Sequence, residues 1–261
     1  MRYIKILFEQ CKLSVMSAAM YRANFWLMLF QSFVNTAMSI LCVEFIYGSV
    51  DSIAGWNKNE MMILLCTAMI VNQLFRGIIH WNQNCFISGI GSGGLDKMLL
   101  RPVSLIFQAN TGRIDISGLL SISAPLIVLI VQISTVGVNI NAMRLGLFVL
   151  FILNGVLTLS SFMLLLFSSA FIFIKVDGLG NIYYALMDLA EKPREMFSQK
   201  LLFGLTFIIP AMPLANAPVS ILLGKADWTF MLIYLGIGIL FAVASYASIR
   251  LGLRRYTSAS S

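Results

Sequence analysis

The chain has 261 residues, of which 59% are hydrophobic and only 11% charged, with a formal charge of +7. A soluble domain is about one quarter charged and lacks apolar runs of twenty residues, so composition excludes the soluble class and predicts an all-α, polytopic membrane protein. The basic excess does not imply a nucleic-acid partner, because the lysines and arginines stand at the ends of the apolar runs, where orientation in a membrane requires them.

Residues 1–22 read as an amphipathic helix in the plane of the membrane interface. Arg2, Lys5, Glu9 and Lys12 recur on one face, and Ile4, Leu7, Phe8 and Val15 line the other. A soluble leader helix is the alternative. Glu9 and Lys12 interrupt the apolar stretch, which excludes a signal-peptide core.

Six spans are expected to follow within one membrane domain over 1–261. They run from Phe25 to Ile46, Met61 to Ile79, Ile116 to Val136 and Leu145 to Ile174, then from Leu201 to near Pro210, and from Trp228 to Ile249. The fourth exceeds the roughly 20 residues needed to cross, which predicts tilt or projection.

Three connections stand out. In 80–113 the glycines of GIGSGG predict a helix break, followed by two short amphipathic pieces joined at Arg101-Pro102 and lying flat under the membrane. Pro102 lacks an amide donor and pushes Arg101 towards extended backbone. In 175–200 the stripe Ile182, Leu186 and Leu189, beside Asp188, Glu191, Lys192, Arg194 and Glu195, predicts a second surface helix on the same side. In 210–224 three prolines, Pro210, Pro213 and Pro218, cannot share one straight helix. A re-entrant helix from Ala217 to Leu223, on the opposite side, is expected there, with a kinked span as the alternative. The tail 257–261 reads as disordered.

Nothing in the chain signals bound chemistry. Gly89, Gly91 and Gly94 satisfy GxGxxG, but no strand precedes them, and no GxxxxGK[ST] occurs. His80 is the only histidine, with no ligand partners at metal spacing. Cys11, Cys42, Cys66 and Cys85 form no CxxC pair. No catalytic, cofactor or metal site on this chain is therefore expected. Polar residues within spans carry more information, because such groups usually face the bundle interior. They are Gln31, Asn35 and Glu44, then Asn72, Gln73 and Arg76, and further on Gln132 and Asn154. Glu44 and Arg76 lie near enough to span ends to snorkel. Asn35 and Asn72, nearer the midplane, either line a path or bond helix to helix. Gly238, Ala242 and Ser245 give the last span a small-residue face for close packing.

The stretch Gly93, Leu95, Asp96, Leu99, Leu100, Arg101, Pro102, Val103, Ser104, with Phe107 and Gln108 behind it, resembles the loop between the second and third spans of type-2 ABC exporter permeases. The number and spacing of spans resemble that family too. The resemblance implies that the chain pairs with a second permease, as homodimer or heterodimer, to form a translocation path. It implies separate ATPase subunits that hold ATP and Mg and touch the chain through Leu95, Asp96, Leu99, Leu100, Arg101, Pro102 and Gln108. It also implies a re-entrant hairpin between the last two spans and a place in the bacterial inner or plasma membrane. A secondary transporter would need an inverted repeat and intramembrane titratable groups, and neither is clear. A non-transporting membrane scaffold is the other alternative.

Fifteen lysines and arginines fall before the first span, at the second-to-third and fourth-to-fifth connections, and after the sixth span. Only Lys58, Arg144 and Lys225 fall on the other side. The positive-inside rule then places both termini and the Gly89–Gln108 loop in the cytoplasm.

Overall fold

The computed structural model describes residues 2–136, 141–171 and 178–256, apart from the side chains of Arg2, Ser92 and Arg255. The expected end of the fourth span at Ile174, together with Lys175, Asp177 and the tail 257–261, lies outside the described residues. The chain is all-α and polytopic. Among the described residues, five helices are long and apolar enough to cross a membrane, or six if one bent pair counts as a span.

Helix α1 (Arg2–Met20) buries no residue deeply and leads into α2 (Arg22–Tyr47). A short turn at 51–57 follows. There Asn57 caps α3 (Lys58–Phe75) by accepting from the Glu60 amide, while Glu60 accepts from the Asn57 amide. The helix does not stop at Ile79 as expected. It passes through a π-helical segment, Arg76–His80, into α4 (Trp81–Ser92), making one apolar helix of 34 residues over Lys58–Gly91. Such a helix is about 51 Å long, some 20 Å more than the hydrocarbon core of a bilayer. The glycines Gly89 and Gly91 do not break it. The break comes only at Gly93, whose φ of 74° is left-handed and favours glycine.

After it come α5 (Gly94–Leu99) and α6 (Leu105–Thr111), the two short helices expected around Arg101-Pro102. The third span divides into α7 (Ile116–Leu120) and α8 (Ser123–Val136). Pro125 has no amide to offer the Ser121 carbonyl, and that carbonyl instead accepts from the Ser32 hydroxyl of α2 at 2.9 Å. The fourth span is α9 (Ala142–Phe167), continued by a 3-10 turn to Phe171.

The largest departure from expectation concerns 178–224. Helix α10 (Leu179–Ala190) is not a surface helix. Tyr183, Leu186, Met187 and Ala190 are buried in the central core. The Tyr183 hydroxyl donates to Asn72 of α3. Beyond α10, the Trp56 indole donates to Glu195 at 2.8 Å. Residues 191–196 therefore share an end with the 51–57 turn, the end opposite to the one expected. The sequence misled here because the charges flanking α10 resemble those of a solvated surface.

Next come α11 (Gln199–Phe207) and α12 (Met212–Leu222), bent by 106° between them. At nine residues α11 is about 13 Å long, too short to cross. Its entry lies beside Glu195. The exit of α12 is held where Lys225 pairs with Glu60 at 2.8 Å and stacks 4.6 Å from the Trp56 ring centre. The pair enters and leaves at one end, so it is a re-entrant hairpin. Its second helix starts at Met212 rather than Ala217, with Pro213 in the first turn, where a missing amide costs nothing.

The last span, α13 (Trp228–Arg255), lays Gly238 against Asn154 and Thr158 of α9, the close helix contact expected of that face. Phe86, Leu95, Ala109, Leu164 and Ile249 form a separate small core at the far end of the molecule.

Candidate functional site

Two places among the described residues combine polar and exposed side chains in a way that bears on function. The first is the corner formed by α5 and α6. Leu95 is fully buried in the small core and supports the corner from within. The expectation that it anchors a partner is corrected by this burial. Gln108 is buried as well. Its amide donates to the carbonyls of Met98 and Val103, both at 2.9 Å, and so fixes the turn from inside rather than meeting another protein. Asp96 is half-buried and lies beside Tyr256 at the end of α13. Burial, with the Asp96 carboxylate as a second cause, raises the Tyr256 phenol above its ordinary pKa. Leu99, Leu100, Arg101 and Pro102 face outward, and Leu100 is 85% exposed. Of the seven expected contact residues, only these four form a continuous exposed surface.

The base beneath the corner is built from buried amides. Asn82 donates to the carbonyls of Asn110 and Arg113, and its oxygen accepts from the Arg113 amide at 2.7 Å. Gln83 bonds Asn110 and Ser160, tying α4 to α6 and α9. These bonds tie α4, α6 and α9 together at the base of the corner.

The second place is a cavity of about 420 Å³ between α2, the π-helical segment and α7. From α2 come Asn24, Gln31 and Asn35, which recur at helical spacing on one face. Across from them stand Gln73, Arg76 and His80, and the floor is formed by Arg113, Asp115 and Ser121. The π turn creates this geometry. Its wider ladder releases carbonyls from regular α pairing. That of Gly77 accepts from the Asp115 amide at 2.7 Å, and that of Ile78 from the Asn82 side chain at 2.7 Å. The first of these bonds draws the start of α7 against the widened turn.

Asn35 lines this cavity and Asn72 does not. Asn72 is held by Tyr183 and bonds helix to helix, so the structure separates the two residues that the sequence grouped as path-lining. The spacing of Asn24, Gln31 and Asn35 along one face was the signal available to find the cavity from sequence. Arg113 and Asp115 gave no such signal, because they reach it only through the fold.

Residues 33–260 match the model of a family described as ABC-2 family transporter protein. No curated protein and no solved structure matches the chain. The match covers most of the chain, beginning within the first crossing. The chain belongs to this ABC-2 membrane family, and is a permease component of an ABC transporter.

Proposed function

We propose that the chain is the permease subunit of an ATP-driven exporter, paired with a second permease and driven by separate ATPase subunits that hold ATP and Mg. The ATPase meets the corner at Leu99, Leu100, Arg101 and Pro102. Both termini and this corner lie in the cytoplasm of a cell with the chain in its inner or plasma membrane. Moving Lys192, Arg194 and Lys200 to the Trp56 end lowers the cationic tally of the other end from fifteen to twelve and raises the opposite one from three to six. The excess keeps its sign, so the positive-inside argument still supports this orientation.

The observation that carries the reading is the contrast within the corner. Leu100 and Arg101 stand exposed on a base locked by Leu95, Gln108 and Asn82. A rigid base under an exposed aliphatic and cationic tip suits transmission of a push from a partner. As the partner closes on its nucleotide, the tip moves with the long helix behind it, and the spans repack.

Leu100→Ala and Arg101→Ala should leave the melting temperature of the purified chain unchanged while ATPase copurification or coupled transport is lost. Truncating one member of a desolvated charge pair costs about 2–5 kcal/mol in a complex. Leu95→Ala should instead lower the stability of the chain itself, by about 2–5 kcal/mol. Normal transport and normal ATPase retention in Arg101→Ala would overturn the assignment.

A further inference from the structure

The structure assigns the cavity between α2 and the π-helical segment as a binding site for the phosphate headgroup of an anionic phospholipid. The assignment rests on the membrane placement of the chain and not on the direction of transport. Two guanidinium groups, Arg76 and Arg113, face the cavity against one carboxylate, Asp115. The Asp115 carboxylate already accepts from the Ser117 amide at 3.0 Å as the cap of α7. Arg76 forms no ion pair among the described residues, and Arg113 only stacks 5.4 Å from the Trp81 ring centre.

A guanidinium held at a cavity wall with no carboxylate partner suits a phosphate, which it can engage through paired N–H donors. The amides of Gln31, Asn35 and Gln73 add neutral donors at the same cavity. The volume is that of a small-molecule site and accommodates a headgroup.

The position argues for a lipid rather than a free anion. Trp81 is 56% exposed at the mouth, and an exposed tryptophan at a span end sits at headgroup level. The α2 wall buries only Ser32, Thr36 and Val43, so acyl chains can lie along its exposed apolar side chains while the headgroup enters between the spans. Basic pockets between membrane helices take anionic headgroups on these grounds. The π turn supplies the geometry, since it sets Arg76 and His80 on the wall while the bond from Asp115 to Gly77 fixes the opposing floor.

The test is binding of short-chain phosphatidylglycerol to the detergent-purified full chain, with phosphatidylcholine and inorganic phosphate as comparators. Phosphatidylglycerol is expected to bind and to raise the melting temperature, while phosphatidylcholine does neither. Arg76→Gln and Arg113→Gln should each weaken binding roughly fivefold or more. Both side chains are exposed to the cavity and unpaired, so the variants should keep the melting temperature of the lipid-free protein. Arg250→Gln, an exposed arginine stacked on Tyr246 and away from the cavity, should bind as the parent does. Equal binding of the two lipids, or unchanged binding in Arg76→Gln and Arg113→Gln, would overturn the site. Inorganic phosphate that displaces the lipid at similar concentration would show a free-anion site and overturn the lipid assignment.

Discussion

All eleven residues of α12 are buried, whereas α2, a span of 26 residues, buries only Ser32, Thr36 and Val43. Both helices are apolar, so hydrophobicity does not account for the difference. In a membrane an apolar side chain gains little by leaving lipid for protein, and close packing and polar satisfaction decide where a helix goes. The backbone of α2 bonds within itself, and its long apolar side chains can remain against lipid or a partner. The backbone of α12 cannot do the same. Pro218 leaves the Leu214 carbonyl without its partner one turn on, and such a group is tolerated at membrane depth only inside protein. Gly155 of α9 comes against that carbonyl so closely that an added Cβ would stand 2.8 Å from it. The neighbouring Asn216 is fully buried, accepts from the Arg194 amide at 2.9 Å and donates to the carbonyls of Lys192 and Ala190. One helix is fixed by its polar atoms, and the other is left to face outward by having few to satisfy.

The sharpest way to break this comparison is Asn216→Leu. It leaves one amide and two carbonyls of 190–194 without partners, each costing about 1–3 kcal/mol when buried. A loss on the order of 3 kcal/mol or more is expected, read as a clear fall in apparent melting temperature in detergent. A variant as stable as the parent would show that α12 is held by apolar packing alone.

A smaller effect should follow from Glu195→Gln. This residue ties the entry of the hairpin to Trp56, but its side chain is 42% exposed, and solvent weakens the charge-assisted bond. About 1 kcal/mol is expected. Faster amide hydrogen exchange over 199–207, with α9 unchanged, would be the local signature. Unchanged exchange would mean that the Lys225–Glu60 pair holds the hairpin by itself.

The smallest effect on the chain should come from α2. Phe30 and Leu41 are 68% and 61% exposed, so replacing both with alanine should change stability by no more than about 0.5 kcal/mol. If this face meets the second permease, crosslinking between the two subunits should fall while the melting temperature of the single chain holds. A large loss of melting temperature would show that α2 is packed more firmly than its exposure implies.

Much of the site was legible, but unevenly. A helix break within GIGSGG and another around Pro102 followed from the cost of glycine in a helix and the missing amide of proline, both local properties, but that Gly93 rather than Gly89 or Gly91 makes the first break did not. That Leu99 to Pro102 face outward while Leu95 and Gln108 face inward was not legible. All of them sit in one short amphipathic stretch, and only the packing of α4, α9 and α13 distinguishes them. The cavity was half legible, through Asn24, Gln31 and Asn35 on one face. Its cationic wall depends on a π turn that no residue of RGIIH announces.

The sequence by itself determined the class of the protein. Runs of apolar residues fix which segments can cross a bilayer, because the cost of placing charge in hydrocarbon is a sum over residues. Prolines fix where those segments must bend. Tertiary structure alone decided which end each connection occupies. The bond between Trp56 and Glu195 joins residues 139 positions apart and moves 191–196 to the end opposite the one their charges suggested. Hydropathy is a property of single residues, but sidedness is set by which distant groups satisfy one another, and that appears only once the helices are packed.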